Sequence, residues 1–95
     1  MKIAVEFLSL PVVTKIVGGK SILFDFHGRT IEDLMNEIVT RYGEKVRGFL
    51  LDESGKLDRI FKILLNKNEW VSWDQMNKIL KDRDQVTIMM LVGGG

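Results

Sequence analysis

Apolar and polar residues alternate from Lys2 to Ser9, with Ile3, Val5 and Phe7 on one face and Lys2, Ala4, Glu6 and Leu8 on the other. A period of two predicts a strand whose first set faces inward. Pro11 cannot donate to a ladder and marks the strand end. Val12 to Val17 is apolar without a clear period and is read as a loop, and Gly18-Gly19 as a turn. Alternation resumes from Lys20 to His27, with Ile22, Phe24 and Phe26 on one face, so the first two strands read as an antiparallel hairpin.

From Thr30 the period changes. Ile31, Leu34, Met35, Ile38, Val39 and Tyr42 form one helical stripe, opposite Glu32, Asn36, Glu37, Thr40 and Arg41. Thr30 and Asp33 have capping-box spacing, and Gly43 stops the helix. Val46 to Leu51 is a short apolar segment with Gly48 inside it, followed by a turn at Asp52-Glu53-Ser54-Gly55. Ile60 to Leu65 reads as a strand with Phe61, Ile63 and Leu65 inward. Asn66-Lys67-Asn68 turns it into a short return, Glu69-Trp70-Val71, because Asn tolerates left-handed dihedrals. Met76, Ile79 and Leu80 suggest one helical turn. After the turn Asp82-Arg83-Asp84-Gln85, the run Val86 to Leu91 is apolar apart from Thr87. Such a run predicts a buried strand in the middle of the sheet, parallel to the first, with its end projecting from the rim. One strong helix, about 30–42, and a mixed sheet of four to five strands predict an α+β two-layer domain over residues 1–92.

The chain then ends in Gly93-Gly94-Gly95. Glycine packs nothing and costs the most backbone entropy to order, so residues 93–95 are expected to be a flexible tail. Extended, residues 92–95 would reach roughly 13 Å beyond the last strand. An incidental, frayed terminus explains the glycines equally well on their own.

Composition narrows the chemistry. Ninety-five residues, 45% hydrophobic and 28% charged, suit one globular domain. The absence of cysteine excludes disulfides, thiolate catalysis and cysteine-ligated zinc. Net charge is +1 and the basic residues are scattered, which argues against a nucleic-acid partner. No apolar run reaches bilayer length, so a soluble, cytoplasmic protein with no membrane contact is expected. No phosphate-cradling loop is present, since Lys20 follows Gly18-Gly19 at the wrong spacing. His27, the single histidine, reads as a surface or turn residue. Thr30, Ser54 and Ser72 read as caps and turns, and Asp82 and Asp84 as a turn pair and not a metal site. At least one of Trp70 and Trp73 is expected in the core, the alternative being an exposed anchor for a partner. Met89, Leu91 and Val92, together with Leu8 and Leu64, would form an apolar partner surface if the outer sheet face is uncovered.

Three stretches carry a resemblance: Lys2-Ile3-Ala4-Val5-Glu6-Phe7, Ile63-Leu64-Leu65-Asn66, and Leu80 to Ile88 followed by Gly94-Gly95. Over essentially its whole length the chain resembles the ubiquitin-like β-grasp sulfur carriers. These include the small subunit of molybdopterin synthase (MoaD-like), the thiamine sulfur carrier (ThiS-like) and the archaeal small modifier proteins. Arg83 departs from the glycine usual in that turn, and Gly93 adds a third glycine. The stretch from Glu44 to Arg59 is longer than in the thiamine carriers, which favours the molybdopterin-synthase or archaeal type.

The resemblance implies a carrier and not an enzyme. Gly95 would be adenylated by a separate ATP-dependent activating enzyme (MoeB/ThiF-like) and then thiocarboxylated, with Gly93 and Gly94 threading a partner channel. The sulfur would pass to a synthase large subunit for molybdenum or tungsten cofactor (molybdopterin), thiamine or transfer-RNA thiolation. Alternatively Gly95 would be joined to lysines of target proteins. A third reading is an interaction module with an incidental tail. No cofactor is expected on the chain itself, ATP being used by the partner.

Overall fold

The computed structural model describes residues 1–90. Strand β1 (Lys2–Leu8) is followed by helix α1 (Pro11–Val17), β2 (Ser21–Asp25), α2 (Ile31–Tyr42), α3 (Glu44–Leu50), β3 (Phe61–Leu65), β4 (Glu69–Val71), a 3-10 turn (Trp73–Gln75) and β5 (Gln85–Met90). The strands form one mixed sheet in the order β2-β1-β5-β3-β4. β5 lies in the middle, parallel to β1 and antiparallel to β3. This is the position its largely apolar sequence predicts, since a central strand pairs along both edges and Val86, Thr87 and Ile88 are all buried.

The inner face holds the core. Val5 pairs with Val86 and Phe7 with Ile88, while Ile63 lies opposite both Ile88 and Val71. Against them α2 lays Ile31, Leu34, Met35, Ile38 and Val39, all buried. The start of α2 is set by a reciprocal cap. The Asp33 amide donates to Thr30 Oγ1 at 3.1 Å. Asp33 Oδ2 accepts from the amides of Thr30 at 3.1 Å and Arg29 at 3.0 Å. The Arg29 and then the Thr30 hydrogen bond hold the Asp33 carboxyl below its ordinary value of 3.8. Asp52 is lowered likewise, first by the Ser54 hydroxyl at 2.6 Å and then by the Lys56 amide.

Three local readings are corrected, and one apolar segment to which the sequence assigns no element is a helix. Val12 to Val17 is not a loop: Pro11 occupies the first helical turn, where its missing N–H costs nothing. Leu10 and Val13 are buried, with Ile16 and Val17 packed beside them, so burial overrides the poor helix propensity of valine. Gly18 (φ 91°) caps this helix by donating to Thr14 O, so β1 and β2 pair antiparallel but are not joined by a tight hairpin. Val46 to Leu50 is helical, burying Val46 and Leu50 one turn apart. The expected turn at Met76–Leu80 is replaced by the 3-10 turn upstream; Ile79 is exposed while Leu80 is buried.

Two turns lock the sheet's register. Asn66 (φ 52°) and Lys67 (φ 62°) take left-handed dihedrals between β3 and β4. Asn66 Nδ2 donates to Asp84 Oδ1 at 3.0 Å, and the Gln85 amide donates to Asn66 Oδ1 at 2.8 Å. Asp84 Oδ2 accepts from the Lys81 amide and Asp82 Oδ1 from the Lys2 amide. Both aspartates therefore serve the turn, as read from the sequence. Arg83 carries a positive φ of 73° where glycine would fit without strain.

Candidate functional site

The outer face of the sheet bears no helix among the described residues, and its side chains follow from the register. One row runs Leu8, Met89, Lys62, and the next runs Glu6, Thr87, Leu64, Trp70. Ala4 pairs with Gln85 on one side and Leu23 on the other. Leu23 is 69% exposed and Trp70 59%, with Leu8 at 38%. Leu64, Met89 and Ala4 are half-buried. These apolar side chains, drawn from all five strands, form a band on the outer face that is interrupted by Glu6, Thr87 and Lys62.

The band extends to the end from which the chain continues to its glycines. Met90, the last described residue, pairs with Phe61 at the start of β3. Beside it are the end of β1 at Leu8 and the exposed Ile60. Leu91, Val92, Gly93, Gly94 and Gly95 lie outside the described residues.

Of the expected partner-surface residues, Leu8, Met89 and Trp70 share the outer face. Trp73 does not. It lines a separate cavity of about 290 Å³ on the helix side with Met35, Leu57 and Met76. There the Arg59 guanidinium stacks 3.9 Å from the Trp73 ring centre. The expected core tryptophan is corrected: both indoles are exposed, because the three residues of β4 are too short an edge to roof either one. His27 is exposed, 4.0 Å from Glu37, and among the described residues no third group joins this pair for acid–base work. Among the described residues no cluster of three or more metal-ligating side chains occurs.

Two outer-face residues were not singled out by sequence. Thr87 is 1% exposed, and its hydroxyl donates to Glu6 Oε1 at 3.0 Å across the two central strands. Thr87 is the one polar residue in an apolar run, which was the available signal.

A mixed five-stranded sheet wrapped on one main helix, with its first and last strands parallel at the centre, is the ubiquitin-like β-grasp fold. The chain resembles the β-grasp sulfur carriers, and comparison with solved structures shows how far. SAMP1 of Haloferax volcanii matches with a TM-score of 0.77 over 100% of both chains at 14% identity. CysO of Mycobacterium tuberculosis matches at 0.73, covering 95% of this chain and 99% of that one at 26% identity. A putative molybdopterin converting factor subunit 1 of Pyrococcus furiosus matches at 0.69 and 26% identity, over 97% and 99%. No protein-family model and no curated protein matches the chain.

Proposed function

We propose that this protein is a sulfur carrier. Its Gly95 carboxylate attacks the α-phosphorus of ATP on a separate activating enzyme, releasing pyrophosphate and forming an acyl adenylate. A carboxylate resists nucleophiles because of its charge, and the adenylate supplies a leaving group. Sulfide or an equivalent donor then attacks the carbonyl carbon, AMP leaves, and the terminal thiocarboxylate carries sulfur to a consuming enzyme. The chain itself is the co-substrate and not the catalyst, and ATP belongs to the partner.

One observation supports this most directly: the central strand β5 runs along an uncovered apolar face and leads straight into Leu91-Val92-Gly93-Gly94-Gly95. A partner gripping that face would stand beside the segment it must process. A crystal structure of a BexX/CysO complex of Amycolatopsis orientalis and a solved structure of a putative molybdopterin converting factor, subunit 1, support a carrier that works with partner proteins. Molybdopterin-type cofactor synthesis is the acceptor pathway most consistent with the second of these; thiamine or transfer-RNA thiolation are the other acceptors of this chemistry.

Incubation with an activating enzyme, ATP and a sulfur donor is expected to replace one terminal oxygen by sulfur, read by intact mass. Removal of Gly94-Gly95 is expected to abolish the product. A wild-type chain unchanged in mass with every activating enzyme of its host would refute the reading. The modifier alternative draws on the small archaeal modifier proteins among the structural neighbours. It predicts Gly-Gly remnants on lysines of host proteins instead.

A further inference from the structure

Glu6 is the one carboxylate set within the apolar band, and its position is imposed. Its strand neighbours on the same face are Ala4 and Leu8, and its cross-strand partners are Thr87 on β5 and Ser21 on β2; Leu64 lies opposite Thr87 on β3, and Met89 is two residues beyond Thr87 on β5. The buried Thr87 hydroxyl draws Glu6 Oε1 to 3.0 Å, which lays the side chain along the seam between β1 and β5. Glu6 is therefore half-buried where an extended surface glutamate would be fully wet. Thr87 engages one oxygen. Among the described residues no hydrogen bond reaches Oε2, and none of the ion pairs includes Glu6. Lys62, also on this face, stands in the next row, opposite Met89.

A partner that covers the band strips water from this carboxylate. A desolvated charge without a counterpart opposes association, and an apolar surface alone would be a poor fit. We infer that the activating enzyme presents an arginine to Glu6, framed by apolar side chains that meet Leu8, Leu64 and Met89. A guanidinium suits the place because it is weakly hydrated and directs a planar fork at an oxygen pair already oriented by Thr87. Glu6 is thus a specificity residue. Partners with a neutral or acidic centre are rejected, and the same pairing fixes the register that brings the chain's end to the ATP site. This inference rests on the carrier reading.

The test is ATP–pyrophosphate exchange by the host's activating enzyme with wild type, Glu6→Gln, Thr87→Val and Glu53→Gln. Glutamine keeps an acceptor for Thr87 and removes only the charge. Glu6→Gln is expected to raise the KM for this chain about tenfold or more with kcat little changed, and to flatten the salt dependence of kcat/KM. Thr87→Val keeps the charge but frees the carboxylate, and is expected to raise KM less. Glu53→Gln removes the same charge from an exposed turn and is expected to match wild type. Thermal midpoints check that each variant folds; the KM and salt slope are effects that loss of folding alone would not produce. Wild-type exchange with an unchanged KM for Glu6→Gln would overturn the Glu6 assignment and leave the carrier reading standing. No exchange with wild type would overturn both.

Discussion

Gly28 shows how tightly single residues are set around the start of α2. A Cβ there would stand 2.6 Å from Asp33 Cβ and 2.8 Å from the Phe26 ring. Phe26 is buried and Asp33 is held in the cap, so neither can move aside cheaply. Gly28→Ala is expected to destabilise the fold by about 1–3 kcal/mol, measured by urea unfolding. The same cap gives a pH signature. The folded Asp33 carboxyl lies below its ordinary value of 3.8, so the unfolded chain takes up the proton first as pH falls. The stabilisation is complete above that ordinary value and is lost as pH drops through it towards the folded value. The thermal-midpoint gap between wild type and Asp33→Asn is therefore expected near neutrality and to close in strong acid. The Thr30–Asp33 pairing was legible in the sequence because capping is local, spanning three residues. The Gly28 contact was not, because it depends on where Phe26 enters the core.

At the scale of elements, local signals and tertiary demands part company. α2 announces itself, since its stripe is twelve residues long and capped at both ends. α1 and α3 are seven residues each, too short to be helical on their own, and the core recruits them through Leu10, Val13, Val46 and Leu50. Gly48 sits inside α3, exposed, with open space where a Cβ would go. Gly48→Ala is expected to stabilise by roughly 0.5–1 kcal/mol in chemical denaturation. The turn before β5 carries the opposite lesson. Asn66 bonds to both Asp84 and Gln85, 18 and 19 residues away, and so joins the β3–β4 corner to the start of the central strand. Asn66→Ala is expected to cost about 1–2 kcal/mol and to weaken amide-exchange protection first at the Gln85 end of β5. The sequence marked Asn66 as a turn residue; only the fold shows that its side chain reaches the neighbouring strand.

At the scale of the whole molecule the two faces of one sheet do different work. The inner face, with α2, supplies stability. The outer face keeps Leu8, Leu23, Leu64, Met89 and Trp70 at least partly in water, and it is the face on which the proposed partner would dock. Leu8→Asp, at a position 38% exposed, is expected to leave the thermal midpoint nearly unchanged. It should also lower kcat/KM for activation about tenfold or more, because a charge in the docking band must be desolvated. Equal kcat/KM for Leu8→Asp and wild type would remove the outer face from the docking role.

The sequence by itself determined the α+β class, the inward residues of β1, β2 and β3, the capped central helix and the central, parallel placement of the last strand. All of these rest on periodicity, composition and caps, which act over a few residues. The tertiary structure alone decided that two short apolar segments are helices, that Trp70 and Trp73 are exposed on different sides, and that Thr87 pins Glu6 within the band. Those outcomes depend on contacts between residues far apart in the chain, whose strength is set by burial and shape once the sheet has closed around α2.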